Sequence, residues 1–365
     1  MLSPNELSRI VEEAEGAMRE GVRAALATVV FVSGSAYRRP GARMLIREDG
    51  RIVGGVSGGC LEADVVRRAR SAMVSGEVQV ATYDSTELED GGFGTGLGCR
   101  GVVEILIEPV SLERTGFHLA CLRRVNDARS PSVLAIRFRG PEEGLGAIAL
   151  FGMDGPAPNV AAESIQRAFA QRRWRCTQEL LLDYLPPVQR LLLVGGGPDS
   201  EPLVNCARPL GYRVMVVDER PGYLSRRRFP PDTQVSTTAV EDLPETAVDA
   251  HTSVVIATHN LSYDERALRK LLPSAVSYVG VLGPRQRTVR MLEQLRSGEG
   301  MGRCDGARVF APTGLDIGAD TPEQIALSVL AEIQAVMAGR PGTSLKDRTS
   351  PIHQESEWAD GSSAP

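Results

Sequence analysis

The run Ser57-Gly58-Gly59-Cys60 places a thiol where it could meet a ligand. A strand pattern at residues 51–56 leads into the two glycines, and a helix pattern begins at Cys60. Unpaired N–H groups and the dipole at a helix N-terminus favour anions and lower the pKa of a thiol. The sequence therefore predicts a site for a phosphate-bearing ligand, an oxyanion or a reactive sulfur. The alternative is that Cys60 is a small buried side chain at a helix start.

A second candidate site is a glycine turn that follows an apolar strand pattern in the C-terminal half. In a dinucleotide-binding fold, Gly195 would allow the tight turn and Gly197 the close approach of a pyrophosphate. Asp218 ends the next strand pattern, 21 positions after Gly197, where a carboxylate accepts a hydrogen bond from a ribose hydroxyl. Ser200 replaces the third glycine of the motif and predicts slightly looser helix–strand packing, while Arg220 leaves NAD and NADP both open. The alternative is a Rossmann fold that binds no nucleotide.

His259 is the histidine whose position suits acid–base chemistry. It follows a buried strand pattern at residues 254–257, and ligands of parallel sheets bind at the carboxyl ends of their strands. A general acid–base histidine needs a partner, and Asp264 is near in sequence. The alternative is a histidine that only stabilises its loop.

Composition restricts the class of protein. The 365 residues suffice for two domains, and the 42% hydrophobic and 24% charged content is typical of soluble globular chains. A net charge of −5 argues against general binding of nucleic acid or anionic membranes, and no apolar run approaches the ~18 residues of a membrane span. The six scattered cysteines include no CxxC pair, which excludes zinc-ribbon and ferredoxin spacings. With no secretory signal visible, the sequence predicts a cytoplasmic protein with reduced thiols.

Hydrophobic periodicity divides the chain into three parts. Residues 1–187 mix helix and strand patterns and predict an N-terminal α+β domain that ends at a pair of prolines. Residues 188–340 alternate short apolar strands with helices, which predicts an α/β fold, a Rossmann-like doubly wound parallel sheet. Residues 341–365 are rich in Ser, Asp and Pro and predict a disordered tail. The predicted helices are 4–21, 60–75, 112–126, 160–172, one ending near 210, 264–271, 285–296 and 322–338; the predicted strands are 26–31, 43–46, 51–56, 78–83, 102–107, 132–138, 146–151, 191–194, 214–217, 254–257, 278–282 and 309–310.

Several short motifs follow one another along the chain: Gly34-Ser35-Ala36-Tyr37-Arg38-Arg39-Pro40-Gly41-Ala42-Arg43-Met44, Ser57-Gly58-Gly59-Cys60-Leu61-Glu62, Gly98-Cys99-Arg100-Gly101, the glycine turn, Ala257-Thr258-His259, Gly280-Val281-Leu282-Gly283-Pro284-Arg285, Pro312-Thr313-Gly314-Leu315-Asp316-Ile317-Gly318-Ala319 and Thr321-Pro322-Glu323-Gln324. Their order strongly resembles the XdhC/CoxI family of xanthine dehydrogenase accessory proteins. The resemblance extends over most of the chain to about residue 337 and is weakest at residues 111–187.

The resemblance implies a role in the maturation of molybdenum hydroxylases. Members of the family bind the molybdenum cofactor (molybdopterin), protect it, and support its sulfuration and insertion into a xanthine dehydrogenase-type enzyme. The implied partners are that enzyme and a cysteine desulfurase, and the implied role is that of a maturation chaperone rather than a dehydrogenase. A catalytic molybdenum hydroxylase subunit would be far longer, and no iron–sulfur cysteine spacing or flavin domain is evident. Some sequences of this type carry the name xanthine dehydrogenase by association.

In the N-terminal domain, the implied ligand site gathers at the glycine–cysteine run. Gly58 and Gly59 would bind an anionic part of the cofactor, and Cys60 would contact the metal or relay sulfur as its thiolate. Cys99, in a glycine-rich loop, is a second candidate thiol at the same site. Charge-assisted hydrogen bonds would come from three arginines that equally fit a role in stabilising the nearby proline–glycine turn: Arg38, Arg39 and Arg43.

In the Rossmann half, three possibilities for the ligand remain open: NAD(P), the pterin of the cofactor, or no small molecule. Gly197 and Asp218 would face either of the first two. Arg285 and Asp316 belong to motifs near the same sheet and are further candidate contacts, although a short polar residue before a glycine is often only turn chemistry. An NAD(P)-dependent oxidoreductase is therefore the alternative function, and a non-catalytic adaptor for a partner enzyme is a third. A homodimer is expected because it is the commonest soluble oligomer.

Overall fold

The computed structural model describes residues 4–85, 101–111, 115–153, 155, 162–225, 228–297 and 306–349. The described residues form two compact units, one ending at Pro187 and the other beginning at Val188. Each unit has its own sheets and its own hydrophobic clusters. No helix among these residues is both long and apolar enough to cross a membrane.

The N-terminal unit begins with two helices and five strands: α1 (Pro4–Glu20), β1 (Ala24–Gly34), β2 (Arg43–Arg47), β3 (Ile52–Gly54), α2 (Glu62–Ser75), β4 (Gln79–Asp84) and β5 (Gly101–Pro109). The strands form one antiparallel sheet in the order β3-β2-β1-β5-β4. Successive residues of β1 point to opposite faces. Leu26 and Val30 belong to a cluster with α1, whereas Ala27 and Val29 belong to one with α2. The central strand is therefore buried on both faces.

A second antiparallel sheet completes this unit. Its elements are α3 (Gly116–Ala128), β6 (Ser132–Arg137), β7 (Ile148–Gly152), α4 (Ala162–Gln171), β8 (Arg175–Cys176) and β9 (Leu180–Leu185). The strand order is β7-β6-β9-β8. The sequence patterns did not predict β8 and β9. Asp183 interrupts the apolar run of β9, and its charge is balanced by Arg43, a residue 140 positions earlier that no local pattern connects with it.

The C-terminal unit is a six-stranded parallel sheet flanked by helices. Its elements are β10 (Arg190–Val194), α5 (Ser200–Ala207), β11 (Arg213–Val217), β12 (Gln234–Ser236), β13 (Thr252–Ile256), α6 (Leu261–Leu271), β14 (Tyr278–Val281), α7 (Arg285–Ser297), β15 (Val309–Phe310) and α8 (Pro322–Met337). The strand order β12-β11-β10-β13-β14-β15 is that of a Rossmann sheet, and its direction of winding reverses between β10 and β13. The predicted fold class is confirmed.

Candidate functional site

Cys60 lies in an exposed turn that leads into α2. The helix begins at Glu62, with Leu61 as its N-cap, so the prediction that it begins at the cysteine is wrong by two residues. The Ser57 hydroxyl oxygen accepts hydrogen bonds from the N–H groups of Gly59 and Leu61, both at 3.1 Å. These bonds hold the backbone in a turn instead of a helix. The Cys60 Sγ lies 3.4 Å from the same oxygen and is exposed to solvent. The alternative of a buried cysteine is therefore wrong.

The Glu62 carboxylate covers the start of this helix. It accepts hydrogen bonds from the Ser57 N–H at 2.8 Å and from the Ser57 hydroxyl. Burial acts to raise the pKa of this carboxyl, but the hydrogen bonds from Ser57 and the neighbouring backbone outweigh burial, so the pKa is lowered. A negative charge thus already occupies the helix N-terminus, where the sequence predicts an external anion. The geometry leaves the Cys60 thiol as the exposed group of this turn.

Glycine suits positions 58 and 59 for two different structural reasons. A Cβ at Gly58 would lie 3.3–3.6 Å from ring atoms of Tyr37, so the aromatic ring packs against the backbone there. Gly59 has a φ of +111°, a conformation that L side chains rarely adopt, and a Cβ there would meet nothing within 4 Å. The space above Gly59 is therefore open to a ligand of the neighbouring thiol.

Of the candidate arginines, Arg38 lies beside this turn. A Cβ added at Gly55 would be 3.8 Å from Arg38 Nη2 and 3.7 Å from the Glu62 carboxylate. The Arg38 Nη1 is 3.7 Å from the Glu6 carboxylate, and its side chain is 32% exposed. Its guanidinium therefore lies beside Gly55, before the Cys60 turn, and is held by no ion pair closer than 3.7 Å among those shown.

Arg43 is fully buried and serves the fold. It is ion-paired with Asp183 at 2.9 Å and donates a hydrogen bond to the Gly41 carbonyl at 2.9 Å. The structure thus favours the alternative in which Arg43 stabilises the turn. Its buried guanidinium is not available to a ligand. Arg39 is half-buried, and its carbonyl closes the same turn by accepting from the Ala42 N–H at 3.1 Å.

The remaining thiols are less accessible than Cys60 in the described part of the chain. Cys121 and Cys176 are buried, and burial raises the pKa of both thiols. Cys206 is half-buried. Cys99 and Cys304 lie outside the described residues. No group of three or more His, Cys, Asp or Glu side chains within the described ranges could hold a metal ion.

In the C-terminal unit, the glycine turn joins β10 to α5. Gly195 has a φ of +115°, and a Cβ there would lie 2.6 Å from the Ala257 carbonyl oxygen, so the loop after β10 packs directly on the loop after β13. The buried Ser200 hydroxyl donates to the Gly195 carbonyl at 2.5 Å. Ser200 therefore closes the turn with a hydrogen bond, contrary to the predicted loosening. A Cβ at Gly197 would meet nothing within 4 Å.

Asp218 is placed at the end of β11, as predicted, but its carboxylate is fully used by the chain itself. It accepts from the Gly196 N–H at 2.9 Å and from the Arg220 N–H, Nε and Nη2 at 2.8–3.0 Å, and it is wholly buried. Burial acts to raise the pKa of Asp218, but the Arg220 guanidinium and the backbone donors outweigh burial, so the pKa is lowered. The oxygens that would accept from a ribose are already bonded.

A short segment of the chain covers the middle of the glycine turn. A Cβ at Gly196 would lie 2.9 Å from both the Tyr223 carbonyl oxygen and the Leu224 side chain. Arg228 donates to the carbonyl oxygens of Gly196 at 2.9 Å and Gly197 at 3.0 Å. The backbone at Gly196 is thus covered by the protein's own groups, whereas the space beside the Cα of Gly197 is open.

His259 has a carboxylate partner, but not the predicted one. Its Nε2 is 2.9 Å from Asp199 Oδ2, and both side chains are partly exposed. The His259 backbone has a φ of +55°, which is unusual for a residue other than glycine. The pair joins the loop after β10 to the loop after β13. The sequence pointed to Asp264 because it is near His259 along the chain, whereas Asp199 is 60 positions away from His259.

Asp264 instead stabilises the loop that carries His259 through buried contacts. It is buried, accepts from the Thr258 hydroxyl, and is ion-paired with Arg287. Burial raises the pKa of Asp264, although Thr258, the Arg287 charge and His259 each oppose this. Sequence reasoning gave no role to Asp199 or Arg287, because Asp199 is 60 positions from His259 and Arg287 is 23 positions from Asp264.

Arg285 and Asp316 are exposed at the carboxyl side of the sheet, and the structure shows no hydrogen-bond partner for either among the described residues. Buried hydrogen bonds hold the segment that carries Asp316. The buried Tyr278 hydroxyl donates to Glu332 at 2.5 Å, and the same carboxylate accepts from the Gly314 N–H at 2.9 Å. This network fixes the backbone before Asp316 without engaging its side chain.

Comparison with known proteins relates both units to one family. The XdhC and CoxI family matches residues 17–84, and the XdhC Rossmann domain matches residues 191–333. A protein of Bacillus subtilis named as a probable xanthine dehydrogenase subunit is 33% identical over 315 residues, which cover 85% of this chain and 92% of that protein. This chain belongs to the XdhC and CoxI family.

Two other proteins of known name or structure extend the comparison. The molybdenum cofactor insertion chaperone PaoD of Escherichia coli is 26% identical over 90% of this chain and 87% of its own length. A crystal structure described as a xanthine dehydrogenase from Bacillus halodurans has 29% identity and a TM-score of 0.69, and the match covers 94% of this chain and 98% of that one. The predicted resemblance is confirmed, and the two XdhC regions contain the Cys60 turn and the His259 loop respectively.

Proposed function

We propose that this chain is an accessory protein that binds the molybdenum cofactor and supports its sulfuration and insertion into a xanthine dehydrogenase-type molybdenum hydroxylase. The observation that carries the proposal is the exposed Cys60 thiol, held by Ser57 in a turn with open space at Gly59. Molybdenum accepts sulfur ligands, and thiolate is a soft ligand that suits such a metal. The name of the E. coli relative supports insertion of the cofactor, and that of the B. subtilis relative supports a xanthine dehydrogenase-type partner.

The charges around the turn suit a large ligand with both metal and anionic parts. Arg38 can donate to a phosphate or to terminal oxygens, whereas the Glu62 carboxylate would repel an anion placed directly on the helix N-terminus. We therefore propose that Cys60 contacts the molybdenum end and that Arg38 contacts an oxygen-rich group beside it.

The alternative of an NAD(P)-dependent oxidoreductase has less support. A ribose-binding carboxylate must offer free oxygens, and those of Asp218 are bonded to Gly196 and Arg220.

The first experiment measures molybdenum and pterin in the purified protein after incubation with released molybdenum cofactor. We expect about one cofactor per chain in the wild type and at least about tenfold less in Cys60→Ala, which requires the Kd to rise by more than about tenfold. Cys206→Ala is the matched control, because Cys206 is half-buried in the other unit. Equal retention by wild type and Cys60→Ala would overturn the assignment of the thiol.

The sulfuration step has a separate test. We propose that a cysteine desulfurase persulfide transfers its sulfane sulfur to Cys60, which becomes a persulfide while the desulfurase thiol is regenerated. Mass spectrometry after incubation with desulfurase and cysteine should find the added sulfur on Cys60 and not on the buried Cys121. If Cys60 stays unmodified while the partner enzyme is still activated, the proposed sulfur relay is wrong and Cys60 acts only in cofactor binding.

A further inference from the structure

Strand β7 forms one edge of the second antiparallel sheet in the N-terminal unit. The strand order is β7-β6-β9-β8, and β6 is the strand that pairs with β7 among the described residues. The outer side of an edge strand presents a row of backbone N–H and C=O groups, which can pair with a strand of another chain. Such an edge is therefore either protected from pairing or used for it.

The register shows which backbone groups of β7 face outward. The Arg137 N–H donates to the Ala147 carbonyl at 2.9 Å, at the start of the ladder between β6 and β7. Hydrogen-bonded and non-hydrogen-bonded pairs alternate along an antiparallel ladder. The backbone groups of Ala149 therefore face β6, whereas those of Ile148 and Leu150 face away from it. Neither Ile148 nor Leu150 has a backbone hydrogen bond outside this ladder within the described ranges.

The edge of β7 lacks the charges that protect other strand edges. Residues 144–153 contain no charged side chain and no proline, and both are common means of keeping edges apart. Each of the other edge strands in the described part of the chain has a charged residue within it or at most two positions away: Arg51 for β3, Asp84 for β4, Arg175 for β8, Asp232 for β12 and Arg308 for β15. A second strand would therefore meet no charge on β7.

The side chains of β7 are apolar on both faces of the sheet. Ile148 and Leu150 pack against the cluster that includes residues of α1 and α3, and Phe151 packs against the cluster of β6, β9 and α4. All three side chains are half-buried, and Met153, just after the strand, is 61% exposed. A strand added beside β7 would thus remove further apolar surface from water.

The charge of the chain favours a second copy as the source of that strand. Two copies each carry a net charge of −5, so contact between them costs least at a surface without charge. A partner recognised through its charges would find no complementary side chain on residues 144–153. The same edge on a second copy is an apolar strand of equal length, and antiparallel pairing of an edge with itself is two-fold symmetric.

The free backbone groups also select the register of this pairing. Pairing centred on Ala149 places Ile148 opposite Leu150 of the second copy, so the outward N–H and C=O groups of both residues are used. Pairing centred on Leu150 would instead use Gly152, whose carbonyl already accepts from the Gly155 N–H at 3.2 Å. The first register therefore leaves fewer backbone groups unpaired.

We propose that the outer edge of β7 is a homodimer interface, at which two copies pair in antiparallel fashion about Ala149. The two four-stranded sheets then form one sheet of eight strands, a size that natural sheets reach. This interface goes beyond the proposed function and does not involve Cys60. Molybdenum retention and dimer formation are separate measurements, so failure of either proposal can be recognised by itself.

The test is sedimentation equilibrium of the full-length protein. We expect the wild type to have the mass of two chains, and Ala149→Lys and Ala149→Glu each to have the mass of one. In either variant, like charges would face each other from Cα atoms about 4.5 Å apart. An equimolar mixture of the two variants should regain the mass of two chains, because a lysine then faces a glutamate. Thr82→Lys is the matched control, since Thr82 is exposed on the edge strand β4, and it should keep the mass of two chains.

A wild type with the mass of one chain, or a dimer that both charged variants retain, overturns the proposal. A mixture of the variants that stays at the mass of one chain also overturns it, whereas recovery in the mixture excludes unfolding as the cause of dissociation. If the wild type is monomeric and Ala149→Lys loses binding to the partner molybdoenzyme, the edge pairs with that enzyme instead of a second copy.

Hydrogen exchange of the wild type tests the same contact without a substitution. The N–H groups of Ile148 and Leu150 should be protected in the dimer, because each donates to the second copy. Fast exchange of both groups at a concentration where the protein is dimeric would place the dimer contact elsewhere and overturn the proposal.

Discussion

Gly195 is the residue at which conformation and packing both exclude a side chain. In Gly195→Ala, the methyl group would lie 2.6–2.9 Å from the backbone of residues 257 and 258, at a φ of +115°. We expect a loss of about 2–4 kcal/mol in the free energy of unfolding, because strain and overpacking add. Urea denaturation followed by circular dichroism measures this loss.

Gly197 provides the matched control two positions away. A Cβ there would meet nothing within 4 Å, and its φ lies outside the left-handed region. Gly197→Ala should therefore leave the free energy of unfolding within about 0.5 kcal/mol of the wild type. Equal destabilisation by the two substitutions would mean that the loop after β10 does not pack on the loop after β13.

Residue types at the candidate sites were predictable, but their partners were not. The exposed Cys60 turn and the position of His259 follow from local sequence. The buried ion pair of Arg43 with Asp183, and the pairing of His259 with Asp199, join residues 140 and 60 positions apart. Only the folded chain determines such pairs, and they decide whether a charged group is free to bind a ligand.

At the scale of an element, α2 is fastened to β4 through Asp64. This carboxylate is buried and accepts from Arg68 Nε at 2.7 Å and from the Tyr83 hydroxyl at 2.8 Å, with Arg67 as a further partner. Burial acts to raise its pKa, but these donors outweigh burial and lower it from 3.8 to about 2. The ionised form therefore stabilises the fold above pH 3.8, and this contribution is lost as the pH falls toward 2.

We expect Asp64→Asn to lower the free energy of unfolding by about 1–2 kcal/mol at neutral pH, because charge-assisted hydrogen bonds are lost. The difference from the wild type should shrink as the pH falls from 4 toward 2, as measured by urea denaturation across that range. Glu163→Gln is the control, because Glu163 forms an exposed helical pair with Arg167. It should change stability by no more than about 0.5 kcal/mol. A pH-independent effect of Asp64→Asn would contradict the assigned pKa.

Most strands were predictable from apolar patterns, whereas β8, β9 and β12 were not. The apolar runs of β10, β13 and β14 agree with the predicted strands to within two residues, since strands covered on both faces are continuously hydrophobic. The edge strands β8 and β12, only two and three residues long, carry no such pattern. The start of α2 was displaced because the Ser57 side chain, rather than a helical carbonyl, accepts from the first N–H groups.

At the scale of the whole molecule, the two units have separate cores. The apolar residues of β1, β2 and β9 contribute to clusters in the N-terminal unit, and those of β10, β13 and β14 to clusters in the C-terminal unit. The exposed Cys60 thiol belongs to the first unit, and the pair of His259 and Asp199 belongs to the second.

Separate cores predict that residues 188–349 fold without the N-terminal unit, because a compact unit with its own core can in principle fold alone. We expect this fragment to unfold in urea as one cooperative transition with a slope of about 2 kcal/mol/M. Gly195→Ala should destabilise the fragment as much as the full chain, since the residues its methyl group would meet, 257 and 258, belong to the same unit. A broad, non-cooperative transition, or a Gly195→Ala effect confined to the full chain, would show that the C-terminal core depends on the rest of the protein.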